Sequence, residues 1–429
     1  MEVIRLQQQA QDPSFATALL HPPGEQNPFG STAVPVFQTS AFSHLSAEEM
    51  ERIFQNAAPG FTYSRLGNPT VAAFEQRMAA AENGFAATAC ASGSAAIAVT
   101  LLSLLRAGDD IIASAGLYGG TLDFFRDLQA FDIHVTLVET LSRATIAAAV
   151  TPHTKAVFAE TISNPGLRVL NIREAADAAH AHGIPLIVDS TAATPVLVRP
   201  LDFGADIVIH SSSKYINGAG NAISGVIVDG GRFSWNSETF SVFGSALRFG
   251  KAAFTARLRQ TLWRDIGATP APVHAFLNLG GLETLPLRME RICNSAEKLA
   301  RFLESEDVSV RYPGLESSGE TATVQTQFQN GFAGGILTVR LGSKEAAFRF
   351  INALRFAKNV SNIGDSKTLV IHPASTIFLH ADEKERQSAG VFNDLVRVSV
   401  GLEDPDDLIH DFKQSLLSAI SISTTEVDK

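Results

Sequence analysis

Between residues 66 and 265 short β-rich apolar runs alternate with helical stretches, and that alternation limits the possible folds more than any other feature of the chain. Asp110-Ile111-Ile112-Ala113, His134-Val135-Thr136-Leu137-Val138, Ala156-Val157-Phe158-Ala159, Pro185-Leu186-Ile187-Val188 and Ile207-Val208-Ile209 have the length and residue types of buried strands. Helical pattern lies between them, as over 172–182, where Ala175, Ala176, Ala178 and Ala179 form a small apolar face. Strands separated by helices pair mostly in parallel and need cover on both faces. The expected class is α/β, with a mostly parallel central sheet and helices on both faces. The order changes near residue 266. A helix over 293–303, strands over 335–339 and 396–400, and helices over 345–354 and 406–419 predict a smaller C-terminal α+β domain spanning 266–429. Residues 1–65, with Pro22, Pro23, Pro28, Pro35 and Pro59, read as irregular: an N-terminal arm reaching a neighbouring subunit, or a disordered tail. Val34, Val36, Phe37 and Phe42 favour the arm, and 421–429 reads as a frayed end.

Bulk properties exclude several classes. The 429 residues suffice for more than one domain, and the formal net charge is 34 − 44 = −10 with no long basic run, so nucleic acid is not an expected partner. Two cysteines, Cys90 and Cys293, do not make a disulfide framework. The longest apolar stretch, near 95–105, falls short of the ~20 residues that span a bilayer. The first residues lack the basic flank and apolar core of a secretory signal, so the expected location is the cytoplasm. The eleven histidines show neither HExxH spacing nor cysteine pairing, so no metal site is expected, and no G-x-S-x-G elbow occurs.

The chemistry concentrates at strand ends. The segment His210-Ser211-Ser212-Ser213-Lys214-Tyr215 follows the apolar run 205–209, which puts a lysine and three hydroxyls where α/β enzymes keep their sites. Such a lysine suits a Schiff base with an aldehyde cofactor, provided burial lowers its pKa. Asp189 ends the preceding apolar run and can hold the proton on a pyridine nitrogen, which narrows the cofactor to pyridoxal 5'-phosphate. The competing role for Asp189 is a cap for the turn at Ser190 and Thr191. Ala91-Ser92-Gly93-Ser94 opens an apolar helix, and its N–H groups, with Ser211 and Ser213, can cradle a phosphate. Tyr118, in Gly116-Leu117-Tyr118-Gly119-Gly120, can lie against a planar ring or simply close a loop. Arg65, two residues after Tyr63, can grip a phosphate. Arg397 stands in a buried-looking strand and needs an anion, either a substrate carboxylate or a structural ion partner.

Together these residues resemble the Cys/Met metabolism family of pyridoxal-phosphate enzymes, a fold type I group. The marks are the lysine segment, Asp189-Ser190-Thr191-Ala192-Ala193-Thr194-Pro195 and Tyr63-Ser64-Arg65. The resemblance runs from about residue 37 to 410. It implies a seven-stranded-type central sheet within a cofactor-binding domain over 66–265. Lys214 would carry the cofactor, Asp189 would face its ring nitrogen, and Gly93, Ser94, Ser211 and Ser213 would bind its phosphate. Tyr118 would stack on the ring and assist proton transfer, and Asn164 would contact the phenolic oxygen. Tyr63 and Arg65 would reach the phosphate of the neighbouring subunit, making at least a dimer, with a tetramer as a dimer of dimers. Arg397, helped by Asn362, would bind the α-carboxylate.

Within the family the chain is most similar to O-acetylhomoserine sulfhydrylases, through Gly280-Gly281-Leu282-Glu283-Thr284-Leu285-Pro286-Leu287-Arg288-Met289-Glu290-Arg291 and Lys367-Thr368-Leu369-Val370-Ile371-His372-Pro373-Ala374-Ser375. That likeness implies γ-substitution on O-acetyl-L-homoserine, expelling acetate through a vinylglycine-type imine and adding sulfide at Cγ. A carbon nucleophile or a γ-lyase outcome stays open. Two departures bear on the nucleophile. Such enzymes usually read Gly-Gly-His-Gly-Thr where this chain reads Asn217-Gly218-Ala219-Gly220-Asn221, and the stretch between Trp235 and Phe254 is shorter.

Overall fold

The structure, a computed structural model, describes residues 14–21 and 30–420. A seven-stranded sheet forms its centre: β1 (Ala86–Cys90), β2 (Asp110–Ser114), β3 (His134–Val138), β4 (Thr154–Glu160), β5 (Leu186–Asp189), β6 (Ile207–His210) and β7 (Gly225–Asp229). The spatial order is β1-β7-β6-β5-β4-β2-β3, and β7 alone runs against its neighbours. Apolar side chains leave both faces. Val157, Val188, Val208 and Val228 join one buried cluster, and Phe158, Ile187, Ile207 and Ile227 join another. This two-sided burial is why the inner strands read as unbroken apolar runs rather than as alternation, whereas β3, expected as a buried strand, is the sheet edge and is exposed or half-buried along its length.

A second sheet of five strands is built from β8 (Ser309–Arg311), β9 (Ile336–Arg340), β10 (Lys358–Asn359), β11 (Leu369–Ile371) and β12 (Leu395–Ser399), in the order β10-β11-β12-β9-β8. The helices Leu285–Ser305, Lys344–Ala353 and Pro405–Ile420 accompany it. The helix expected over 293–303 begins eight residues earlier, at Leu285, because Pro286 sits in the first turn, where a missing N–H costs nothing.

The reading of 1–65 as irregular is corrected in part. Phe15–Leu20 and Ala47–Phe54 are helices, the second capped by Ser46 and carrying Glu48 and Glu49 in its first turn. The rest of the expected arm over 1–13 and 22–29, and the expected frayed end over 421–429, lie outside the described residues. In the stretch after Trp235, that side chain stacks on Phe243 and Phe254 at 4.6 and 5.7 Å and meets Phe240 edge-on. Phenylalanine outnumbers tyrosine 28 to 4 in this chain, and part of that content is one aromatic cluster closing this flank of the sheet. Among the described residues no helix is long and apolar enough to cross a membrane, and no group of metal-ligating side chains forms.

Candidate active site

β4, β5 and β6 end side by side. Their register pairs Glu160 with Asp189 and Asp189 with Ile209. Two carboxylates thus share the edge from which the lysine turn departs. A cavity of about 420 Å³ lies over this edge, and Ser94, Tyr118, Asn164, Asp189, Lys214 and Arg397 line it, together with Gly93, Ser211, Ser213 and Asn362. Of the sequence-derived candidates, only Tyr63 and Arg65 stand elsewhere. Arg65 donates to Arg264 O at 2.7 Å and packs over the Tyr63 ring, which is largely exposed.

Lys214 follows β6 by four residues. Its Nζ donates to Asn362 Oδ1 at 2.5 Å. Burial, and then the charge of Arg397, bring its pKa down to about 8, so near neutrality a larger fraction of the amine is unprotonated than for a surface lysine. The backbone around it is fixed from the C-terminal side. Arg288 donates to the carbonyls of Tyr215, Ile216 and Gly281 at 2.7, 3.2 and 2.7 Å. This gives a purpose to the segment 280–291 that the sequence singled out.

Asp189 Oδ1 accepts the Thr191 N–H at 2.9 Å, so it does brace the turn that follows, while also facing the cavity. Burial raises its pKa, against the pull of Thr191. Glu160 was not anticipated. Burial and the Asp189 charge push its carboxyl well above the usual range, even though Oε1 accepts the Tyr118 N–H at 2.9 Å. Of the pair, Glu160 is raised further, because the Asp189 charge adds to its burial, whereas Thr191 and His210 hold Asp189 down.

The helix Gly93–Leu104 opens beside the lysine turn. Ser92 caps it by accepting the Ala95 N–H at 3.0 Å, which leaves the Gly93 and Ser94 N–H groups without intrahelical partners. A Cβ on Gly93 would lie 2.6 Å from Ser211 Cβ, so glycine lets the helix end meet the turn. Ser213 is partly committed elsewhere: its hydroxyl donates to Ser224 O at 3.0 Å and accepts the Ser224 N–H at 2.8 Å. Tyr118 leans over Gly120, where a Cβ would come within 2.7 Å of its ring.

Arg397, in β12, is buried, yet its hydrogen bonds go to neutral oxygens: Asn164 Oδ1 at 3.3 Å and Asn362 O at 2.9 Å. Its Nε finds no partner among the described residues, and burial lowers its pKa to about 10. A buried guanidinium with only neutral partners is a receptor for an anion. Asn362 touches both cations, Lys214 through its side chain and Arg397 through its carbonyl.

Residues 16–417 match the Cys/Met metabolism PLP-dependent enzyme family. The chain belongs to this family. Sulfhydrylase FUB7 of Fusarium oxysporum is 42% identical over 95% of this chain and 98% of its own length. Homocysteine synthase of Schizosaccharomyces pombe is 40% identical over 94% and 98%. A candidate O-acetylhomoserine (thiol)-lyase of Campylobacter jejuni, solved with N'-pyridoxyl-lysine-5'-monophosphate, superposes with a TM-score of 0.90 at 34% identity, covering 94% of this chain and all of that one.

The cavity fits the cofactor of a Cys/Met metabolism PLP-dependent enzyme. It offers a lysine of lowered pKa, a carboxylate for a pyridinium, and an anion-binding helix end beside a serine turn. Fold type I, expected from the resemblance, is the fold of the solved relatives.

Proposed function

We propose that this PLP-dependent enzyme catalyses γ-replacement on O-acetyl-L-homoserine, with sulfide displacing acetate to give homocysteine. The observation that carries the reading is Arg397, a buried cation with only neutral partners, joined through Asn362 to the Lys214 amine. An α-amino acid whose carboxylate pairs with Arg397 brings its Cα toward that amine. Pyridoxal phosphate, when bound, supplies the electron sink that acidifies the substrate's Cα and Cβ hydrogens. Lys214, with its pKa near 8, takes and returns protons at these carbons, and Tyr118, which lines the same cavity, assists. Asp189 holds its charge at the ring-nitrogen end. Gly93, Ser94, Ser211 and Ser213 would hold the phosphate, and Asn164 would contact the ring oxygen.

The names of the relatives, sulfhydrylase and homocysteine synthase, favour sulfide over a carbon nucleophile. We assign the cofactor to residues 66–265 and much of the substrate grip to 266–429, because the cavity draws residues from both. Tyr63 and Arg65 lie away from this cavity and are read as completing the site of a second subunit, which makes at least a homodimer the working unit and a tetramer its doubled form; the cytoplasm is the setting we propose. The test is steady-state turnover of O-acetyl-L-homoserine with sulfide and with water alone. Equal amounts of homocysteine and acetate support the reading. Oxobutanoate and ammonia, with sulfide unconsumed, would make the enzyme a γ-lyase.

A further inference from the structure

The stretch where the sequence departs from the sulfhydrylase pattern is built around three asparagines. Asn217, buried after the lysine turn, uses its whole carboxamide. Oδ1 accepts the N–H groups of Ala219 and Asn221 at 3.1 and 3.4 Å, and Nδ2 donates to Asn221 Oδ1 and Asn278 Oδ1 at 3.0 and 3.3 Å. Asn278, fully buried in the helix Pro272–Glu283, donates to Ser224 Oγ at 2.5 Å and Ser212 Oγ at 3.3 Å. Those two hydroxyls are themselves 2.8 Å apart. One carboxamide therefore ties the lysine turn to the loop over 217–224. The loop is also held at Ile223, whose carbonyl meets His274 Nδ1 at 2.9 Å. Gly218 and Gly220 have φ of +70° and +66°, and a Cβ on either would strike Arg288 or Asp365.

This fixed loop places Gly220, Ala222 and Ile223 in the cavity wall. Ile223 is 65% exposed, and the peptide that follows it is pinned at both its carbonyl, by His274, and its N–H, by Ser213. Ile363 and Ile377 line the same cavity. Among the described lining residues the cations are Lys214 and Arg397, and the first substrate's carboxylate occupies Arg397. A second amino-acid thiol would bring a carboxylate to Ile223, where this chain's own lining supplies no further cation and the Arg65 read as shared between subunits is committed to the phosphate. Sulfide brings none.

We propose that the Asn217–Asn221–Asn278 cluster is a positioning device that locks this loop to the lysine turn, and that Ile223, so held, is the residue that turns away amino-acid thiols. The proposal rests on the γ-replacement reading. Discrimination of this kind works by leaving the wrong partner's charge unpaired rather than by added contacts to the right one.

The experiment compares kcat/KM for sulfide and L-cysteine with saturating O-acetyl-L-homoserine on the holoenzyme. Wild type favours sulfide by on the order of a hundredfold. Ile223→Lys raises the value for cysteine about tenfold and moves that for sulfide far less. Asn217→Ala and Asn278→Ala narrow the ratio by a similar factor, and Asn217→Ala also speeds hydrogen exchange at the Ala219 and Asn221 amides. A sulfide-to-cysteine ratio unmoved by all three substitutions, with cofactor absorbance retained, overturns the proposal. Were the asparagine variants not to fold, Ile223→Lys decides alone. Wild type that releases no acetate with either thiol would instead refute the γ-replacement reading, a separate failure.

Discussion

Lys214 titrates near pH 8 because it is buried and faces Arg397, against 10.5 for a free lysine. The sign follows directly. The folded apoprotein releases this proton at a lower pH than the unfolded chain, so its covalent uptake of pyridoxal phosphate accelerates as pH rises through about 8, as stopped-flow absorbance will show. The two carboxylates behind it divide their roles. Glu160→Gln, which removes the charge from a carboxyl whose ionisation burial and Asp189 already disfavour, is expected to keep activity within a few-fold, whereas Asp189→Asn lowers kcat on the order of a hundredfold. Parallel kcat measurements on the two variants check this, and equal losses would refute the division. Lys214 and Asp189 were legible because Asp189 ends an apolar run and Lys214 closely follows another, behind three serines. Glu160 carries the same signal, at the end of Ala156–Ala159, and was passed over. What makes it matter is its register with Asp189, a pairing across 29 residues that sequence spacing does not encode. The neutral surroundings of Arg397 were equally invisible, since Asn164 and Asn362 come from distant segments.

At the scale of elements, the helix Gly93–Leu104 presents its first turn to the cavity only while Ser92 holds it. Ser92→Ala should cost about 1 kcal/mol of stability and weaken cofactor affinity, measured by denaturant unfolding and by equilibrium dialysis. Loss of stability with unaltered cofactor binding would leave Ser92 as a cap alone. The five parallel strands β2 to β6 were readable from their apolar runs, but β1 and β7 were not. Ala86-Ala87-Thr88-Ala89-Cys90 has little β-branched character, and Gly225–Asp229 returns antiparallel from the lysine loop, outside the alternating pattern. Ala47–Phe54 shows the reverse case: its Ser46 cap and early glutamates were present in the sequence, and the surrounding prolines masked them.

For the whole molecule, the position of Tyr63 and Arg65 outside the chain's own cavity gives a test of subunit sharing. If Arg65 serves a neighbour's site, mixing and refolding the inactive Lys214→Ala and Arg65→Ala proteins should restore about a quarter of wild-type turnover, since each mixed dimer has one intact site. No recovery would confine Arg65 to its own subunit. The most direct test reduces the holoenzyme with borohydride and maps the pyridoxyl label by peptide mass spectrometry. Label on the peptide containing Lys214, lost in Lys214→Ala, is the predicted result. Label on any other lysine, or its persistence in Lys214→Ala, would contradict the site described.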